Sequence, residues 1–133
     1  MNREKIDYTR LNPRAQENYN SAKLASLMAG YGYACIRLSD DYNGADLIAL
    51  REGEPAMHIQ LKRRLTIKRS YIGKDLYVAF PIAGEFFVVP HDELTALCDE
   101  ARYLSTKSWI HEGTWHTGRP SKTMIVALQA FKL

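Results

Sequence analysis

Residues 44–64, GADLIALREGEPAMHIQLKRR, constrain the fold more than any other stretch of the chain. Two apolar runs, Ala45–Leu50 and 56–61, flank the polar turn Arg51-Glu52-Gly53-Glu54-Pro55. Each run has strand length and turn residues at its borders, so the pair reads as a β-hairpin. The second run alternates, with Met57, Ile59 and Leu61 on one face and His58, Gln60 and Lys62 on the other. Such a strand buries its apolar face and turns its polar set to a groove. Asp46 follows a glycine at the start of the first run, where the hairpin brings it opposite Gln60 and Lys62. A carboxylate, an amide oxygen and an ammonium then converge, which describes a cation site with a charged partner.

The residues that follow are basic. Lys62, Arg63, Arg64, Lys68, Arg69 and Lys74 occur before the next acid, Asp75. A net charge of +3 over 133 residues is too mild to announce nucleic acid by itself. The clustering beside the proposed site favours phosphate binding over a merely solvated face. Tyr71, set among these cations, suits a nucleic-acid backbone or a splayed base, and equally suits packing over a sheet edge.

The pattern of Asp46 followed by Gln60-Leu61-Lys62 resembles the core of the PD-(D/E)XK nuclease superfamily. GADLIAL is similar to that family's strand bearing the first acid. QLKR is similar to the Gln-x-Lys variant of Mrr-type restriction endonucleases, in an arrangement like that of archaeal Holliday-junction resolvases. Ala45 stands where the family commonly has proline, and Gln60 where it commonly has an acid. The resemblance spans roughly residues 14–93. It implies a restriction-endonuclease-like α/β fold, a mixed β-sheet flanked by helices.

The remaining elements are read from the residues. Residues 1–11 are charged and read as an arm. Asn12-Pro13 signals a helix start, and the helix runs to about Ala29 and stops at Gly30. Leu24 and Met28 share a stripe with Glu17. A first-turn glutamate is also what the helix dipole favours, and the resemblance tips the reading of Glu17 towards the cation site. Residues 33–38 predict a strand, 39–44 a turn, and 65–73 a connector. Residues 76–81 and Glu85–Pro90 predict two more strands around Ile82-Ala83-Gly84. His91-Asp92-Glu93-Leu94 opens a second helix, with His91 as a helix-start residue rather than a ligand. Residues 103–119 read as irregular, with Trp109 and Trp115 closing a core or a dimer surface. His111 and His116 lack further ligands for zinc. Pro120-Ser121 starts a last helix bearing Met124, Leu128 and Phe131.

Length predicts one domain over 1–133, and 46% hydrophobic residues suffice for a core. Cys35 and Cys98 form no CxxC pair, and no apolar run reaches membrane-spanning length. A reduced, cytoplasmic protein is the simplest expectation, with a homodimer allowed by the tryptophan surface.

The resemblance implies a Mg²⁺- or Mn²⁺-dependent endonuclease acting on DNA, duplex or branched. It casts Asp46, Gln60, Glu17 and the Leu61 carbonyl as metal ligands and Lys62 as the group that orients water or stabilises developing charge. Arg63, Arg64, Lys68, Arg69 and Tyr71 would hold the nucleic acid. Two other classes stay open. One is a catalytically inactive nucleic-acid-binding module on the same fold. The other is a structural or interaction protein in which Asp46 and Lys62 form an ordinary cross-strand pair.

Overall fold

Asn12 caps the first helix, α1 (Pro13–Ala29), accepting the Ala15 N–H at 2.9 Å through its side chain, with Pro13 in the first turn. The computed structural model describes residues Met1–Leu133. After α1 the chain forms β1 (Ala34–Tyr42), β2 (Ala45–Leu50), β3 (Met57–Leu61) and β4 (Leu65–Lys68). It continues with β5 (Leu76–Ile82), β6 (Glu85–Pro90), α2 (His91–Glu100), β7 (Thr114–Thr117) and α3 (Lys122–Leu128).

Five strands form one sheet in the order β1-β2-β3-β5-β6, with β3 and β5 parallel and the other neighbours antiparallel. A mixed sheet flanked by helices is therefore the architecture, as expected from the sequence. One face packs Leu47, Ala49, Ile59 and Ala79 against Leu24 and Met28 of α1. The other packs Val78, Phe80, Phe87 and Val89 against Leu94 and Cys98 of α2, Leu128 of α3 and Trp109. Leu65 and Ile67 of β4 join this second core, fully buried. No helix is long and apolar enough to cross a membrane.

Three segments depart from the expected course. Residues 39–44 do not form a turn throughout: β1 runs on to Tyr42, with its register against β2 broken between Arg37 and Tyr42. Asn43-Gly44 alone turn the chain, both at positive φ. An edge strand tolerates Ser39, Asp40 and Asp41 because all three are exposed, and Asp41 also accepts the Gly44 N–H at the turn. The 65–73 connector contains β4 and a 3₁₀ turn at Arg69–Tyr71. Residues 103–119 contain a 3₁₀ turn at Tyr103–Ser105, a π-helical turn at Ser108–Glu112, and β7, which pairs antiparallel with β4. Each of these two short strands is stabilised by a partner distant in sequence, so local pattern alone does not announce it.

Ahead of α1 the chain makes one local turn. Asp7 caps a 3₁₀ turn at Tyr8–Arg10, and the Tyr8 carbonyl accepts from Gln16 Nε2 at 3.2 Å. Both tryptophans serve the interior. Trp109 is buried, and Trp115 stacks on Tyr103 with ring centroids 3.9 Å apart.

Candidate active site

The hairpin register pairs Leu47 with Ile59 and Ile48 with His58, which sets Asp46 beside Gln60 at the end of the sheet. Asp46 Oδ2 accepts from Gln60 Nε2 at 2.7 Å and from the Leu61 N–H at 2.9 Å. A carboxylate only accepts, so this contact fixes the amide: its nitrogen faces Asp46 and its oxygen faces Tyr71, whose hydroxyl lies 3.5 Å away. Gln60 is only 6% exposed. To offer oxygen beside Asp46, its amide must turn over. Asp46 Oδ1 accepts nothing from the chain and remains free for a cation or water.

Burial pushes the Asp46 carboxyl above its ordinary value. The Leu61 N–H and the Lys62 ammonium pull it back, and the charges of Glu17 and Asp41 add to the rise. Burial also lowers Lys62, assisted by Lys68 and opposed by Asp46 and Asp41. Two partly desolvated, opposite charges thus sit in one groove, each favouring the other's ionised form. Their fields are less screened there than at an open surface.

That groove encloses about 830 Å³ and has polar walls, including Glu17, Arg37, Asp46, Gln60, Lys62 and Arg64. Glu17 projects from α1 onto its rim, more than half exposed, and pairs with Arg37 of β1 at 2.8 Å. Leu61 lines the groove too. Arg63, Arg64 and Lys68 line the groove as well.

Arg69 lies elsewhere. Its guanidinium donates to the Trp109 carbonyl and stands over the Trp109 ring at 5.3 Å, tying the π-helical turn to the body. Tyr71 takes the sheet-packing alternative: it lies against Gly44 and meets the His91 ring edge-on at 5.6 Å. Lys68 Nζ stands over its ring at 5.5 Å.

His91 is buried at the start of α2 and accepts the Lys68 N–H on Nε2 at 3.1 Å. Nδ1 therefore carries the proton, and burial pushes the ring's pKa down. The Cys98 thiol is pushed up to about 12 by burial, and that of Cys35 is also raised, so neither offers a thiolate at neutral pH.

Sequence reasoning named Lys68 but missed Thr66, Thr114 and His116 beside it in the groove. β4 and β7 pair Thr66 with His116 and Lys68 with Thr114, and all four side chains line the groove. The signal available was the alternation of Leu65 and Ile67 with Thr66 and Lys68. Arg14, in the first turn of α1, also lines the groove and was not singled out.

No protein-family model matches the chain, and no curated protein matches it in sequence. Among solved structures, it is similar to Hjc, a Holliday junction resolvase from the archaeal hyperthermophile Archaeoglobus fulgidus. The identity is 18% and the TM-score 0.41, covering 52% of this chain and 74% of that one. It is also similar to the bacterial homing endonuclease I-Ssp6803I, at 12% identity and TM-score 0.47, covering 90% of this chain and 94% of that one.

Proposed function

We propose that this chain is a divalent-metal-dependent endonuclease hydrolysing phosphodiester bonds in DNA, of the PD-(D/E)XK kind its 44–64 motif resembles. The observation that carries the reading is the meeting of Asp46, Gln60 and Lys62 in a groove whose other residues include Arg63, Arg64 and Lys68.

The donor set suits a hard cation such as Mg²⁺ or Mn²⁺. Asp46 offers a free carboxylate oxygen, Gln60 an amide oxygen once turned, and Leu61 a backbone carbonyl. Glu17 adds negative charge from the rim. No three acids, histidines or cysteines gather in a metal-holding cluster. Mg²⁺ commonly takes one or two carboxylates and keeps several waters, so this sparse set fits it. When bound, the cation supplies an acidified water and polarises the phosphate.

The chain's own residues do the rest. Lys62 stabilises negative charge that develops on the phosphate oxygens, and partial burial strengthens that interaction. Arg63, Arg64 and Lys68 hold the backbone in register without reading bases. Arg37 keeps Glu17 on the groove wall. Replacing Asp46 with Asn should abolish cleavage in Mg²⁺ or Mn²⁺ while the circular-dichroism spectrum stays native. Full cleavage by a folded Asp46→Asn protein would remove the assignment.

One observation favours a second reading, a DNA-binding module without catalysis. The Gln60 amide group occupies an Asp46 oxygen as a donor. If the wild type binds DNA yet cleaves nothing in Mn²⁺, that contact is the resting state of an inactive site.

A further inference from the structure

A second pocket of about 400 Å³ adjoins the groove, a size suited to a compact organic group. Arg63 lines both cavities. β7 and the residue just past it also link them: Thr114 and His116 line the groove, and Gly118 lines the pocket. A strand held by its phosphates at Arg63 is therefore at the pocket's mouth.

The pocket has the parts of a base-receiving site. Tyr8 and Tyr19 present rings 5.3 Å apart, tilted by 57°. Lys23 also lines the pocket, its ammonium 5.5 Å from the Tyr19 ring centroid. Asn20 is 4% exposed and donates Nδ2 to the Tyr8 hydroxyl at 2.9 Å. Its Oδ1 accepts from no group in the chain. The chain encloses no unpartnered side-chain oxygen or nitrogen, so this oxygen opens into the pocket that Asn20 lines. The Tyr8 hydroxyl donates to nothing in the chain either. An acceptor thus lies next to a free hydroxyl proton.

Every nucleobase carries donors and acceptors side by side on its Watson–Crick edge, but only an unpaired base has that edge free. The geometry points to this pocket as a receptor for one unpaired nucleobase, stacked on tyrosine and hydrogen-bonded by Asn20 and Tyr8. The inference rests on the DNA reading of the groove and narrows it. The substrate class becomes DNA with an extruded or unpaired nucleotide beside the bond in the groove, rather than continuous duplex.

The test uses the full chain in EDTA, so that binding is read without cleavage. Three labelled DNAs of one sequence are compared by anisotropy: a paired duplex, the same duplex with a one-nucleotide bulge, and that bulge made abasic. One base–aromatic stack predicts tighter binding of the bulged DNA than of the abasic one, by about 5- to 150-fold. Tyr19→Phe should keep the preference, and Tyr19→Leu should reduce it severalfold with duplex affinity unchanged. Equal affinity of the wild type for the bulged and abasic DNAs overturns the pocket and leaves the groove's reading intact. No binding to any of the three overturns both. The bulged-to-abasic comparison needs no variant, so a misfolded Tyr19→Leu protein leaves the test standing.

Discussion

Asp46 bears the conflict between stability and chemistry at the scale of one residue. Burial holds its carboxyl above the reference value of 3.8, so the native state binds that proton more tightly than the unfolded chain does. The stability from this difference is complete below the unfolded value and is lost as pH rises through the raised native one. Asn is neutral throughout and its Oδ1 can accept the same Leu61 N–H. Asp46→Asn should therefore melt at a higher temperature than the wild type at pH 7, with the gain gone near pH 3. Calorimetric scans at the two pH values check it, and a lower melting temperature at pH 7 would contradict the burial argument. Asp46, Gln60 and Lys62 were legible because hairpin spacing and alternation are local properties. The orientation of the Gln60 amide was not, since spacing sets the side chain beside Asp46 without saying which of its two polar ends meets the carboxylate.

The hairpins and the first helix were readable as elements because each carries its own punctuation. Asn12, Pro13 and Gly30 bound α1, and Ser121 accepts the Met124 N–H at 3.2 Å to start α3. The β4–β7 ribbon was missed for the opposite reason: the alternation in β4 spans only four residues, and its partner lies far along the chain in β7. The turn between β1 and β2 shows how an element shapes the site. Gly44 has φ +93°, and a Cβ there would lie 2.9 Å from a Tyr71 ring carbon and 3.0 Å from Leu76 Cδ1. Glycine lets the Tyr71 ring close over the start of β2, where its hydroxyl faces Gln60. Gly44→Ala should destabilise the fold by about 1–3 kcal/mol, from backbone strain and displaced packing. Urea unfolding gives the number, and an unchanged midpoint would mean the ring is free to move aside at no cost.

Across the fold, the basic run divides into two settings that its sequence presents as one. Arg64 lines the groove, whereas Arg69 binds the Trp109 and Ile110 carbonyls. Arg64→Ala should lower the salt-dependence slope of DNA binding by about 0.9 while leaving stability unchanged. Arg69→Ala should do the reverse, costing about 1–2 kcal/mol of stability with the slope preserved. Salt titrations and denaturation curves on both proteins separate the two, and a matching slope change in each would place Arg69 on DNA after all. The groove's walls also differ in how far the chain must travel to make them. Asp46 and Gln60 are 14 residues apart, whereas Thr114 Oγ1 reaches the Ile67 carbonyl from 47 residues away. Closing the longer loop forfeits more chain entropy before any contact rewards it. During synthesis the pairing of Asp46 with Gln60 should therefore be set before Thr114 and His116 arrive to complete the groove. A chain that stops short of β7 then carries Asp46 and Gln60 in register beside a groove still open on one side, so the longest loop decides when the groove is closed.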